Sequence, residues 1–213
     1  MPPAPDDPFR RAAAAHAAGD LAAAEALARD LLAAEPDHAD ALALLGLVLT
    51  QAGRLGDALP AWRRAADLRP AAAAHWHNLA ELCRRLGRTT EAEAAARTAV
   101  TLAPGWAEAH FGLGNALREA GRPAEAVRAY DRAVDRNPRF ARALYNRGNL
   151  HREAGRGGAA VDDYRAALAA DPGLTDALVN LGAALGELHR WAEAEAAYRA
   201  ALARRPGDAD LYQ

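Results

Sequence analysis

Asparagine falls on a fixed grid in this chain. Asn146 and Asn180 lie 34 residues apart, Asn78 lies twice that interval before Asn146, and Asn115 and Asn149 form a second pair at 34. A carboxamide carries both a donor and an acceptor, so a row of them suits the N–H and C=O groups of an extended peptide backbone without demanding a particular sequence. The competing reading is asparagine that faces water or caps a neighbouring helix. Arg84, Arg118 and Arg152 recur at the same interval. They could hold an anion, yet Glu119 and Glu153 follow two of them, and a solvated helix end of mixed charge explains the pattern equally well.

Other chemistry is thinly provided. The 213 residues include no Lys, no Ser and no Ile, so all 26 basic residues are Arg. A serine nucleophile, a Schiff-base lysine and a phosphate-loop lysine are therefore excluded. Cys83 is the single cysteine, which rules out an intramolecular disulfide or a cysteine-based metal site and reads as a buried, inert thiol. His75 and His77 flank Trp76 and invite a metal, but residues two apart on a helix point away from one another. His151 stands at a packing place and reads as core. No catalytic residue, metal or cofactor is expected, and the chain is not expected to be an enzyme itself.

The elements that must position these side chains follow from three ladders. Pro36, Pro70, Pro104, Pro138, Pro172 and Pro206 are each 34 apart; so are Gly19, Gly53, Gly87, Gly121 and Gly155, with His189 in the sixth place; so are Ala24, Ala58, Ala92, Ala126, Ala160 and Ala194. Proline ends a helix because it lacks an N–H and excludes helical geometry before it. Glycine turns a corner that needs a left-handed residue. The alanines allow close helix approach. The pattern predicts a chain of helical hairpins with turns at the glycines and at His189.

In the stretch 107–140 the pattern is complete: Leu113, Gly114, Ala126, Tyr130 and Pro138 are the large apolar, small, alanine, aromatic and closing proline positions. It resembles the tetratricopeptide repeat, and the resemblance implies an all-α, right-handed α-solenoid superhelix of about six helix–turn–helix repeats. The expected organisation is a single solenoid over 1–213: a degenerate repeat at about 5–38, then 39–72, 73–106, 107–140, 141–174 and 175–208, with 209–213 opening a truncated seventh. In repeat one, Asp7 should cap the first helix with Pro8 at its first position. Pro60 falls inside the second helix of repeat two and should cost a backbone bond or bend it. Repeat three has Ala96 where others favour an aromatic. Repeat five has Arg147 at an apolar place and Gly157-Gly158 opening its second helix, and should be the softest interior hairpin.

In that architecture the first helices line the concave groove, and the places facing it across all repeats include His77, Asn78, Glu81, Arg84, Phe111, Asn115, Arg118, Tyr145, Asn146, Asn149, Arg152 and Asn180. Acids there are at least as numerous as bases, and the formal charge is -2, so a nucleic-acid channel is not expected. Chaperone-binding members clamp a terminal carboxylate with asparagines and basic residues. Asn115 and Asn146 match the asparagines, but Phe111 and Asp176 stand where the bases belong, so that clamp is absent. The asparagine run, with FGLGNALREAGR and YNRGNLHREAGR, is similar to the superhelix preceding the catalytic domain of O-linked N-acetylglucosamine transferases; Gly112 interrupts the run.

The resemblance thus implies a protein-interaction scaffold that holds an extended peptide or partner protein, as the N-terminal arm of a larger protein such as a glycosyltransferase. The alternative is a free-standing module that self-associates through an uncapped C-terminal hairpin exposing Tyr198, Ala201 and Leu202. The start, MPPAPDDPFRRAAAAHAAGD, has acids before its bases and no sustained apolar run, so neither a secretory signal nor a membrane span is expected, and the cytoplasm is the default compartment.

Overall fold

A computed structural model describes residues 7–205, so the opening of a seventh repeat at 209–213 lies outside the described residues. Twelve α-helices and no strand occur among them. No described helix is long and apolar enough to cross a membrane. The chain divides into two compact units, Met1–Pro104 and Gly105–Gln213.

The first unit carries α1 (Pro8–Ala17), α2 (Leu21–Ala34), α3 (Ala39–Gln51), α4 (Leu55–Leu68), α5 (Ala73–Arg85) and α6 (Thr89–Leu102). Asp7 caps α1 by accepting from the Phe9 N–H at 3.0 Å, with Pro8 at the first position. α1, α2 and α3 meet over buried Ala12, Ala24, Leu44 and Val48. α4 runs unbroken through Pro60, whose ring is exposed, so the carbonyl that loses its partner stands on the solvent side. Cys83 is 1% exposed, and burial pushes its thiol pKa up. It floors a cleft of about 310 Å³ with Leu79, Ala94 and Ala95, walled by Trp76.

The second unit carries α7 (Ala107–Glu119), α8 (Pro123–Arg136), α9 (Ala141–Glu153), α10 (Gly157–Ala170), α11 (Thr175–Glu187) and α12 (Trp191–Arg204). Its core holds Val161, Tyr164, Leu181 and Leu185, with a second cluster at Ala107, Ala133, Phe140 and Ala143. Ala201 turns inward and is 0% exposed, while Tyr198 and Leu202 are half-buried, so these three do not form the uncovered face expected of them. Tyr198 is taken up by its own hairpin, since its ring fills the space above Gly182. The large apolar side chain that α12 does expose is Trp191.

One corner recurs in both units. Every expected turn residue has positive φ, from 70° to 81° at the glycines and 58° at His189. The residue after each turn bonds back across the corner, as in Arg122 N–H to Leu117 C=O at 2.9 Å and Arg190 N–H to Leu185 C=O at 2.9 Å. This is the six-to-one bond that closes a helix with a left-handed residue. Inside each hairpin the small residue and the aromatic are complementary: a Cβ on Gly114 would lie 2.4 Å from the Tyr130 ring, and one on Gly148 2.8 Å from Tyr164. Repeat three changes both members, Ala80 facing the place where Ala96 replaces the ring.

Candidate functional site

The site residues of the second unit stand on its three first helices. Counted from the first residue of each repeat, Asn146 and Asn180 hold the sixth place and Asn115 and Asn149 the ninth. The two rows interlock. Asn146 Nδ2 donates to Asn115 Oδ1 at 3.0 Å, and Asn180 Nδ2 donates to Asn149 Oδ1 at 2.9 Å. Each pair is clipped from the second helix by a tyrosine, Tyr130 O–H donating to Asn115 Oδ1 and Tyr164 O–H to Asn149 Oδ1, both at 2.8 Å. Asn180 Nδ2 also donates to Tyr145 Oη at 3.0 Å, and Asn146 Nδ2 reaches Tyr130 Oη at 3.5 Å. Burial raises the Tyr164 pKa, which keeps its hydroxyl a donor.

This network spends one end of every carboxamide and leaves the other. Asn115 Nδ2 and Asn149 Nδ2 remain as donors, Asn146 Oδ1 and Asn180 Oδ1 as acceptors, with no bond to another described residue. No buried side-chain nitrogen or oxygen among the described residues lacks a partner, so these four atoms reach the surface. Donor and acceptor alternate along the row in the order of the helices.

Beside it, Phe111 packs on Phe140 with centroids 4.9 Å apart, and the Arg142 guanidinium lies 5.4 Å over the Phe111 ring. Tyr145 lies 6.0 Å from Tyr164. Arg118 is exposed and Arg152 half-buried, and neither has a carboxylate partner among the described residues.

The first unit holds His77, Asn78 and Arg84. Asn78 is half-buried and bonds to no described residue, because the ninth place of the preceding repeat is Leu47 and offers no carboxamide. Arg84 is held at two points by Glu81, Nε to Oε2 at 2.9 Å and Nη2 to Oε1 at 2.8 Å. His77 is half-buried; His75 turns its Nδ1 to the Ala65 carbonyl at 3.1 Å. Tyr130 and Tyr164 as polar partners, and Arg142 on Phe111, lie outside the set expected from sequence. The signal for the tyrosines was present, as each follows its asparagine by 15 residues.

Tetratricopeptide repeat family models match residues 9–62 and 111–175, 71–139, and 174–205. The chain is a tetratricopeptide repeat protein. Solved structures agree on the fold. PilF of Pseudomonas aeruginosa is 18% identical with a TM-score of 0.83, over 97% of this chain and 93% of that one. PilW, described as a widely conserved type IV pilus biogenesis factor, is 21% identical with a TM-score of 0.82, over 93% and 92%. YrrB, described as having an unusual peptide-binding site, is 20% identical with a TM-score of 0.67, over 84% and 92%. No curated protein sequence matches the chain. At these identities the likeness of this tetratricopeptide repeat protein to its neighbours is one of fold.

Proposed function

We propose that this tetratricopeptide repeat protein is an interaction scaffold, and that its second unit holds an extended polypeptide along α7, α9 and α11. The observation that carries the reading is the interlocked asparagine network. Its internal bonds fix each carboxamide in one orientation, and the atoms left over alternate donor and acceptor as a peptide backbone does. Fixing the side chains beforehand lowers the ordering cost of binding. YrrB, of the same fold, is described as peptide-binding, which agrees with the reading. The chain's part is binding rather than catalysis. The narrower reading, an arm in front of a glycosyltransferase domain, rests on the asparagine run alone.

The test is Asn146→Ala, titrated with two extended peptides of unrelated sequence. Affinity for both should fall by a similar amount, about 1–3 kcal/mol, as a desolvated backbone N–H is left unpaired. Because Asn146 also donates to Asn115, melting should fall too, by about 1 kcal/mol or less. Tyr130→Phe separates the two effects: it breaks the internal clip but keeps the Asn146 acceptor, so binding should survive better than in Asn146→Ala. Unchanged affinity in Asn146→Ala would show the asparagines to be merely solvated.

A further inference from the structure

We infer that the polypeptide held by the second unit is acidic, its carboxylates meeting Arg118 and Arg152; this rests on the peptide-binding reading above. The same two places carry different residues in different repeats. The ninth and twelfth places are three apart on a helix and so share one face, a turn from each other. In the first unit that pair is Glu81 and Arg84, and the carboxylate grips the guanidinium at two points. In the second unit the ninth place is Asn115 or Asn149, whose oxygens are taken by a tyrosine and by the next repeat's asparagine. The exchange of Glu for Asn therefore removes the charge that would neutralise Arg118 and Arg152, and no other carboxylate among the described residues pairs with them.

The two cations lie beside the free amide donors rather than away from them. Each follows the asparagine that presents Nδ2 by one helical turn, and Arg152 is half-buried and close enough to Tyr164 and Tyr198 to oppose the rise in both phenol pKa values. Glu153 and Glu187 also act on Tyr164, but neither pairs with Arg152. A third guanidinium without a carboxylate, Arg142, lies over Phe111. A backbone seated on the asparagines brings its side chains to planar guanidinium groups, which take carboxylates in two parallel charge-assisted bonds. Neighbouring helices stand roughly 10 Å apart and an extended chain rises about 3.3 Å per residue, so acidic residues about three apart meet successive repeats.

The experiment titrates the full chain with an extended threonine- and proline-rich peptide bearing glutamate at every third position, and with the same peptide bearing glutamine there. The acidic peptide should bind about tenfold tighter, the yield of two partly exposed ion pairs. That advantage should vanish in Arg118→Gln/Arg152→Gln and shrink at about 0.5 M salt, where charges are screened within a few ångströms. The glutamine peptide should bind wild type and double variant alike. Equal affinity of wild type for the two peptides overturns the acidic preference and leaves the peptide reading standing. Binding of neither peptide overturns both. An acidic preference that persists in the double variant removes Arg118 and Arg152 from the recognition.

Discussion

Arg147 stands where the neighbouring repeats carry Leu113 and Leu181, and Asp163 where they carry Ala129 and Ala197. The two departures answer each other. Arg147 Nε and Nη2 donate to the Asp163 carboxylate at 3.0 and 2.6 Å, and Nη1 donates to Asp131 at 2.7 Å. The Asp163 side chain is only 7% exposed and takes both of its Arg147 hydrogen bonds inside the packed repeat. Removing one partner of such a pair costs about 3–5 kcal/mol, whereas replacing both by apolar residues is often neutral or stabilising. Arg147→Leu should therefore be strongly destabilising alone, and Arg147→Leu with Asp163→Ala should recover most of the loss. Urea unfolding of the two single variants and the double variant checks it; additive losses would show that the pair is not coupled.

At the scale of the hairpin, stability lies in the fit of a small residue on the first helix to a ring on the second. Gly114→Ala gains helix propensity, up to about 1 kcal/mol. It also drives a Cβ to 2.4 Å from the ring of Tyr130, which is 0% exposed and cannot swing away. Overpacking costs about 1–3 kcal/mol, so the variant should melt lower by several degrees. Calorimetry would read the shift, and a higher melting point would mean that the hairpin is looser than its geometry. The salt bridges that recur at the start of the second helices, such as Arg122 with Glu125 and Arg190 with Glu193, are exposed and contribute little by comparison.

Among the described residues the response to acidification has two sources. His151 Nδ1 accepts from Arg156 Nε at 3.0 Å, so the imidazole is neutral, and burial lowers its pKa below 6.5 against the pull of Asp163. The unfolded chain then binds the proton first: this contribution is full above about 6.5 and is lost as pH falls toward the folded value. Glu91 is held below its ordinary range by hydrogen bonds from Arg63 and Arg88, and Glu193 by Arg190 and Arg165. Their contribution is present above 4.5 and is lost further into acid, and it is small because the groups are exposed. Stability should fall in two stages on acidification. His151→Leu, which restores the residue of repeats four and six, should remove the upper stage alone; a profile unchanged between pH 7 and 5 in that variant would assign the slope elsewhere.

The period fixed the helices because the signals that end and turn a helix are local. Proline excludes the helical conformation before it, and a left-handed corner favours glycine whatever lies around it. Hence the turns, including His189 at φ 58°, were legible from spacing and the Asp7 cap from residue type, while the resemblance of the repeat pointed to the tetratricopeptide family. The candidate site was legible only as a list of places. Which atom of each asparagine is free depends on what the facing helix presents, and Tyr130 or Asn146 reaches Asn115 only after the helices have packed. Arg84, Arg118 and Arg152 look equivalent at one place of the repeat, yet a carboxylate one turn away holds the first and a carboxamide leaves the others open. Arg147 looked like a flaw until Asp163 was brought against it from another helix. Pairings between helices are set by packing, which a periodic sequence permits at many positions and the tertiary structure selects at a few.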